Sequence, residues 1–376
     1  MRLDRRKILI VVGTRPEAIK TAPVLRALRG AGHAAEVEVC VTRQHSELLD
    51  PVLELFGIRP AFDLALMKPN QGLADLTSRA LVALDEVYTS FSPTVVVVQG
   101  DTTTALAASL SAFYRRVPVA HVEAGLRTAD LMAPWPEELN RRLTGVMASI
   151  HFAPTERARQ NLLREGVAAE HIHVTGNTAV DAILSVVERL RSEAELRAQL
   201  ERKFSFLDPQ RRLILVTGHR RESFGGGFER ICAALEQLSR RQDVQIVYPV
   251  HLNPNVRGPV FGILGGHPNV QLIEPVDYLS FAYLMSRSHL ILSDSGGVQE
   301  EAPSLAKPVL VMREVTERQE GVEAGVVKLV GTDTARIVAE AERLLDDSAA
   351  YGAMARGFNP FGDGRAAERI AKVLCV

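Results

Sequence analysis

The segment KILIVVGTRPEAIK, residues 7–20, joins an apolar strand to the beginning of a helix. The run from Ile8 to Val12 is apolar and rich in β-branched residues, and Gly13 follows it with a turn. Pro16 and Glu17 suit the first turn of a helix, because proline there needs no N–H partner and a carboxylate favours the helix N-terminus. Strand, glycine turn and helix in this order indicate a βαβ unit of a parallel sheet.

Similar apolar runs recur along the whole chain and alternate with longer stretches of helical periodicity. The predicted strands are Ile8–Val12, Val37–Thr42, Val95–Val98, Val117–Val122, His171–Thr175, Leu213–Thr217, Val244–Val250, Val270–Ile273, Leu290–Ser293, Val309–Met312 and Val327–Val330. This rhythm predicts an α/β protein with two doubly wound, Rossmann-like parallel sheets.

The alternation of predicted strands and helices is interrupted once, by a long helical segment over residues 178–203, which we expect to carry a hinge. We therefore predict an N-terminal domain over 1–176 and a C-terminal domain over 177–357. Residues 358–376 are too few for an independent unit, and we expect their helix to pack back on the first domain. Ligands of open parallel sheets bind outside the carboxyl ends of the strands, so the site is expected in a cleft between the two domains.

The composition argues against several classes of protein. The 376 residues include 46% hydrophobic residues, 44 Lys plus Arg and 45 Asp plus Glu, so no overall charge favours nucleic acid or an anionic membrane. No apolar stretch reaches the roughly 20 residues of a membrane span. The isolated Cys40, Cys232 and Cys375 argue against a disulfide framework, a zinc site and a redox motif, and favour a reducing cytoplasm.

Three carboxylates follow predicted strands or begin helices in the first half. Asp101 comes after TVVVVQG, Glu123 lies in HVEAGLRT, and Glu137 lies in PEELNR. Like charges repel and raise one another's pKa values, so grouping these acids is costly unless a cation or a mobile proton draws them together. Proton transfer is therefore the first hypothesis for their function.

Other residues after predicted strands are suited to phosphate. Arg15 and Lys20 lie at the first helix, and Ser295, Gly296 and Gly297 begin a helix whose N–H groups could approach a diphosphate. His219, in TGHRRESFGGG, could face a developing phosphate charge. Each also has a simpler explanation, as a solvated lysine, a capped helix start or a loop histidine. The sequence contains neither a complete GxGxxG fingerprint nor a GxxxxGK[ST] loop, so no redox cofactor and no P-loop hydrolysis is indicated.

Ten segments together resemble the non-hydrolysing UDP-N-acetylglucosamine 2-epimerase family of bacteria. They run in family order over nearly the whole chain: GTRPEAIK, QGDTTTALA, HVEAGLRT, PWPEELNR, GNTAVDA, VTGHRRESFG, YPVHLNPNV, DSGGVQEEAPSL, KPVLVMRE and KLVGTD. The resemblance implies a GT-B fold and cofactor-free, metal-free interconversion of UDP-GlcNAc and UDP-ManNAc. In that reaction UDP is eliminated to give 2-acetamidoglucal and is then added back.

The resemblance also implies roles for individual residues. Asp101, Glu123 and Glu137 become acid/base candidates, and His219 a catalytic residue near the departing UDP. The residues implied in substrate binding are Arg15, Lys20, Arg141, Phe281 for uracil, Ser295, Gly296 and Gly297 for the diphosphate, Glu301 for ribose, and Arg318. Gln44, His45 and His251 resemble a second UDP-GlcNAc site used for activation. The family further implies a homodimer that supplies surface polysaccharide synthesis.

Two alternatives remain open from the sequence. A GT-B glycosyltransferase would share the nucleotide-binding half, although HVEAGLRT and PWPEE argue against it. An epimerase acting on a modified UDP-HexNAc would share nearly every residue named above.

Overall fold

A computed structural model describes residues 6–32, 35–43, 46–68, 71–128 and 130–375. The chain divides into two units. The first comprises Met1–Ala182 and Gly362–Val376, and the second comprises Ile183–Phe361. Each unit contains one parallel sheet flanked by helices, which confirms the predicted pair of doubly wound sheets. Every helix within the described ranges is too short or too polar to cross a bilayer.

The first sheet has seven strands in the order β3-β2-β1-β4-β5-β6-β7. They are β1 (Arg6–Val12), β2 (Ala35–Val41), β3 (Phe62–Asp63), β4 (Val95–Gln99), β5 (Val119–Val122), β6 (Ile150–Ala153) and β7 (Ile172–Val174). The strand order reverses between β1 and β4, and this switch point is where such sheets bind ligands. The central strand β4 reads VVVVQ and is buried along its whole length, as expected of a parallel strand covered on both faces.

Helices connect the parallel strands of this sheet. They are α1 (Arg15–Gly30), α2 (Ser46–Leu55), α3 (Leu73–Phe91), α4 (Thr103–Tyr114), α5 (Glu137–Met147), α6 (Glu156–Arg164) and α7 (Thr178–Ser192). The last of these runs across the boundary between the two units in the sequence. One core cluster joins the inward faces of α3 and α4 to β1 and β4.

The second sheet has six strands in the order β10-β9-β8-β11-β12-β13, and its switch point lies between β8 and β11. They are β8 (Arg212–Thr217), β9 (Val244–Pro249), β10 (Val270–Ile273), β11 (Leu290–Ser293), β12 (Val309–Val311) and β13 (Val327–Leu329). The helices are α8 (Ala194–Lys203), α9 (Gly226–Ser239), α10 (Pro254–Leu264), α11 (Tyr278–Arg287), α12 (Gly296–Glu301), α13 (Gln319–Glu323), α14 (Thr334–Asp346) and α15 (Ser348–Met354).

The last helix, α16 (Ala366–Leu374), belongs to the first unit and packs against α1. Its first two N–H groups, from Ala366 and Ala367, donate to the Asp181 carboxylate at 3.3 and 2.8 Å. These groups have no partner within their own helix, so the buried Asp181 satisfies two donors that would otherwise be costly to bury.

Two sequence-based expectations differ from the structure. The predicted single helix over 178–203 is two helices, because the chain leaves helical geometry at Glu193, where φ is −95° and ψ is 91°. Strands β3 and β6 were not predicted. They span two and four residues, and runs this short form strands only through pairing with a neighbour that is distant in sequence.

Candidate active site

The carboxyl ends of β1, β4 and β5, which are neighbours in the first sheet, carry most of the predicted acid/base region. Asp101 follows β4 and Glu123 follows β5, while Arg15 begins α1 after β1 and is partly exposed. The turn at Gly13 allows α4 to approach β1 closely, since a Cβ at this position would lie 2.1 Å from Thr104 Oγ1. Glycine is therefore required at the end of β1 for steric reasons.

Glu123 forms an ion pair with Lys20. The Nζ atom of Lys20 lies 2.7 Å from both Glu123 carboxylate oxygens, and the two side chains are 14% and 6% exposed. Gln99 Nε2 also donates to Glu123 Oε2. The φ of Glu123 is 64°, in the left-handed region that costs a non-glycine residue on the order of 1 kcal/mol or more. The structure thus holds this carboxylate in one orientation with a cation, an amide and a strained backbone.

Asp101 is held by the helix α5. Arg141 Nη2 donates to Asp101 Oδ2, and Asn140 Nδ2 donates to the Asp101 carbonyl at 2.9 Å. Fully buried Glu138 accepts from Arg142 Nε at 2.9 Å and lies 3.5 Å from Arg141 Nη1. Glu137 is the first residue of α5 and is partly exposed, four residues before Arg141 on the same face. This helix therefore presents Glu137 and Arg141 beside the Asp101 loop.

His121, the third residue of β5, supports the same loop from within the sheet. Its Nε2 lies 2.7 Å from the carbonyl oxygen of Gly100, which can only accept, so Nε2 carries the proton. Burial lowers the pKa of His121 to about 3, and the ring is neutral at pH 7. A neutral imidazole in this tautomer fixes the residue that precedes Asp101.

Glu17 is a residue whose importance the sequence-based interpretation missed. It is 1% exposed, and its Oε2 accepts from Gly13 N at 3.0 Å and Thr14 Oγ1 at 2.7 Å, while Oε1 accepts from Thr102 Oγ1 at 2.6 Å. Burial raises the pKa of Glu17 to about 7. The sequence does carry a signal for it, since Thr14 and Glu17 have the Ser/Thr-x-x-Glu spacing of a capping box.

In the second unit, Asp294 fixes the loop after β8. Its Oδ2 accepts from the backbone N–H groups of His219 at 2.7 Å and Arg220 at 2.8 Å, and its Oδ1 lies 3.4 Å from His219 Nδ1. Asp294 is 2% exposed, whereas the His219 side chain is 43% exposed and stacks on His251 at 5.5 Å between ring centroids. The buried Asp294 therefore fixes the backbone at His219, whose imidazole is accessible.

The SGG turn lies where the sequence predicts it, at the start of α12. Ser295 is the N-cap, and Gly296 and Gly297 form the first turn, whose N–H groups are suited to an anion. A Cβ at Gly296 would lie 3.0 Å from Arg318 Cζ, so the guanidinium packs directly over this glycine. Glu300 Oε1 accepts from Arg318 Nε at 2.9 Å and Nη2 at 2.7 Å and holds it there.

Phe281 and Glu301, two further predicted binding residues, lie on α11 and α12. The Tyr278 hydroxyl donates to Glu301 Oε1 at 3.0 Å, and Phe281 is partly buried on α11. His251 is exposed, and its Nδ1 accepts from Asn253 N at 3.1 Å. Gln44 and His45, predicted to share a second site with His251, lie outside the described residues.

Within the described ranges, no group of three or more His, Cys, Asp and Glu side chains is arranged to hold a metal ion. The charged groups of the site are paired instead with side chains of opposite charge or with N–H groups, as the Lys20–Glu123 and Arg141–Asp101 pairs illustrate.

Residues 27–375 match the family described as UDP-N-acetylglucosamine 2-epimerase. The chain belongs to this family. An Escherichia coli K12 protein named UDP-N-acetylglucosamine 2-epimerase is 59% identical over 369 residues, covering 98% of each chain. The predicted family is therefore confirmed, and with it the prediction of an isomerase.

Solved structures agree with this assignment to the epimerase family. The crystal structure of the Neisseria meningitidis UDP-GlcNAc 2-epimerase bound to UDP-GlcNAc is 49% identical, with a TM-score of 0.92, and covers 98% of this chain and 99% of its own. The glycosyltransferase SnogD from Streptomyces nogalater is 17% identical with a TM-score of 0.60, covering 98% and 99%, and is alike in fold alone. The GT-B fold predicted for this epimerase-family chain is confirmed.

Proposed function

We propose that the protein interconverts UDP-GlcNAc and UDP-ManNAc by eliminating UDP to 2-acetamidoglucal and adding it back. The observation that carries the proposal is the pair of carboxylates after adjacent strands, each in contact with its own cation: Glu123 with Lys20, and Asp101 with Arg141. The named E. coli relative and the UDP-GlcNAc bound to the Neisseria protein support a UDP-sugar as the substrate.

The carboxylates handle the proton at carbon 2. This proton is weakly acidic, so its removal must accompany departure of UDP. One carboxylate takes the proton as the electron pair of the C–H bond forms the double bond between carbons 1 and 2. The pair of the anomeric C–O bond leaves with UDP. Returning a proton to the opposite face of carbon 2 requires a second acid, and Asp101, Glu123 and Glu137 are the three candidates.

The second unit stabilises the leaving group. In this proposal the N–H groups of Gly296 and Gly297 and the guanidinium of Arg318 bind the diphosphate, where negative charge grows as the C–O bond breaks. Ser295, at the N-cap position of the same turn, binds the diphosphate with them. His219, whose backbone N–H donates to Asp294, acts on the departing UDP, and Arg15 of the first unit adds positive charge.

Two side chains select the nucleoside. Glu301 accepts a ribose hydroxyl, and Tyr278 already donates to one of its carboxylate oxygens and holds it in place. Phe281 on α11 offers a ring for the uracil. The UDP moiety is then recognised at both ends, which leaves the sugar free to change configuration.

An experiment with UDP-GlcNAc in deuterated water tests the proposal directly. NMR is expected to show deuterium at carbon 2, the manno epimer and traces of UDP. A GT-B glycosyltransferase would leave the carbon 2 proton in place. Absence of exchange, with or without a small amount of added product, would refute the epimerase function. Parallel incubation with a modified UDP-HexNAc decides between the two epimerase substrates.

We also propose a homodimer formed through α4 and α5. Exposed apolar side chains lie on these neighbouring helices, with Phe113 57% and Tyr114 71% exposed on α4, and Leu143 42% and Val146 84% exposed on α5. Exposed apolar side chains grouped on neighbouring helices are typical of an interface. Light scattering is expected to show a dimer for the wild type and for Phe358→Asp, an exposed apolar control in the second unit, and a monomer for Val146→Asp.

Three further parts of the proposal rest on the family resemblance. The enzyme acts in the cytoplasm, which agrees with the free thiols of Cys40, Cys232 and Cys375. It supplies a precursor of surface polysaccharide. A second UDP-GlcNAc near His251 activates it, so the rate is expected to rise more steeply than hyperbolically with UDP-GlcNAc concentration, and His251→Ala to remove this curvature.

A further inference from the structure

The Glu17 carboxylate joins two loops that carry proposed site residues. Its three donors are Gly13 N and Thr14 Oγ1 from the β1–α1 turn, and Thr102 Oγ1 from the β4–α4 loop. Thr14 directly precedes Arg15, and Thr102 directly follows Asp101. The Glu17 side chain therefore links the loop of Arg15 to the loop of Asp101.

Thr102 is itself fixed in the same arrangement. It is the N-cap of α4, and its Oγ1 accepts from Ala105 N at 3.0 Å while its hydroxyl proton points to Glu17. The hydroxyl thus has one defined donor and one defined acceptor, which leaves a single orientation. Because Asp101 directly precedes Thr102, the position of its backbone is restricted as well.

We propose that Glu17 is a positioning residue for the reaction, which aligns Asp101 through Thr102 and Arg15 through Thr14. This role rests on the proposed function, in which Asp101 is an acid/base candidate. Glu17 itself is 1% exposed and has donors on both carboxylate oxygens, so it acts through these neighbours and does not touch substrate.

The chemistry of this position argues for more than a stabilising role. A buried carboxylate is expensive, because burial favours its neutral form and raises its pKa to about 7. An ordinary helix cap needs only the Thr14 position and no acid beneath it. A carboxylate alone accepts from three donors on two separate loops at once, whereas a glutamine would turn an N–H group toward one of them.

Kinetics of Thr102→Val, Thr102→Ser and Glu17→Gln test this role. Valine at position 102 removes the hydroxyl that donates to Glu17, and serine keeps that hydroxyl. For Thr102→Val, which leaves the contact between Glu17 and Thr14 in place, we expect kcat to fall about tenfold or more with KM changed by less than about twofold, because a displaced catalytic group slows chemistry without weakening binding. For Glu17→Gln, which also disturbs the loop of Arg15, we expect a similar fall in kcat together with a rise in KM. Thr102→Ser is expected to recover most of the wild-type kcat.

Thr155→Val is the matched control for loss of a helix cap. Thr155 is the N-cap of α6 and accepts from Ala158 N at 3.2 Å, as Thr102 does from Ala105, so valine there removes an equivalent cap and should leave kcat unchanged. Equal losses in Thr155→Val and Thr102→Val would overturn the positioning role.

Deuterium exchange by the wild type and the kinetics of the variants together separate the positioning role of Glu17 from the proposed function. Wild-type exchange at carbon 2 with undiminished kcat in both Thr102→Val and Glu17→Gln would overturn the positioning role alone. A kcat loss that matches the loss of folded protein, followed by circular dichroism, would also overturn it. A wild-type protein without exchange would refute the proposed function and this role together.

Discussion

Lys20 Nζ lies 2.7 Å from both carboxylate oxygens of Glu123, although 103 residues separate the two in sequence. The pair joins the first helix to the loop after β5, and both side chains are largely buried. A cation in symmetric contact with both oxygens restricts the rotation of the carboxylate. The Glu123 side chain is thereby held in one orientation relative to the first helix.

Replacing Lys20 with Met should destabilise the fold and slow the reaction. Removing one partner of a buried ion pair costs about 3 kcal/mol, because the remaining charge loses its compensation. We expect urea unfolding to show a loss of this size and turnover to drop with it. Lys20→Arg, which keeps the charge, should retain more of both. Wild-type stability in Lys20→Met would mean that the pair contributes nothing to the fold.

Asp101→Asn and Glu123→Gln should still fold and should lose most turnover, although Glu123→Gln leaves Lys20 without its partner and should lower the free energy of unfolding as Lys20→Met does. Each change keeps the size of the side chain and removes its ability to take up a proton, and proton transfer by a placed group typically contributes at least about a hundredfold. Initial rates of epimerisation measure the effect. Asp75→Asn is the control, since Asp75 forms an exposed i,i+4 pair with Arg79. A variant with near-wild-type rates would remove that carboxylate from the mechanism.

The stability of the protein should depend on pH through Glu17. Burial raises its pKa from 4.5 to about 7, so the folded state binds this proton more tightly than the unfolded state does. The contribution of Glu17 to the free energy of unfolding is therefore highest below pH 4.5 and falls as pH rises to about 7, by about 3 kcal/mol.

Urea unfolding of the wild type and Glu17→Gln across this pH range isolates the effect. Groups other than Glu17 titrate in both proteins, so the difference between their unfolding free energies reports on Glu17. We expect the wild type to lose stability relative to Glu17→Gln as pH increases. The difference between their unfolding free energies should become constant above about pH 7. A difference that is constant with pH would contradict the raised pKa.

Gly296→Ala should weaken nucleotide binding more than Gly297→Ala does. The added Cβ at Gly296 meets Arg318 Cζ at 3.0 Å, and the guanidinium must move, whereas at Gly297 the nearest contact is Ser295 Oγ at 3.8 Å. We expect KM for UDP-GlcNAc to rise about tenfold for Gly296→Ala, equivalent to about 1.4 kcal/mol of binding energy. Equal effects at the two glycines would argue against the importance of Arg318.

The sequence predicts most strands correctly because a parallel sheet covered on both faces requires continuous apolar runs. The predicted strand at Val270–Ile273 has the observed bounds, and Val95–Val98 extends by one residue to Gln99. The periodicity of a helical segment does not show where one helix ends and the next begins. The chain turns at Glu193, within a polar stretch whose composition favours helix on both sides.

The contacts of the site were harder to predict than its residues. Lys20 was interpreted as a phosphate ligand or a solvated lysine, and its pairing with Glu123 depends on the arrangement of β1 beside β4 and β5. Glu17 was interpreted only as a first-turn residue of a helix. Its bond to Thr102 spans 85 residues and follows from the same strand order, which local sequence does not encode.

The bond between Asp181 and α16 has a consequence for synthesis of the chain on the ribosome. The carboxylate and its donors at Ala366 and Ala367 are 185 and 186 residues apart, and all of the second unit is translated between them. At about 5 to 20 residues per second, Asp181 emerges roughly 10 to 40 seconds before its helix. The first unit therefore cannot complete its fold, which includes α16, until the second unit has been translated.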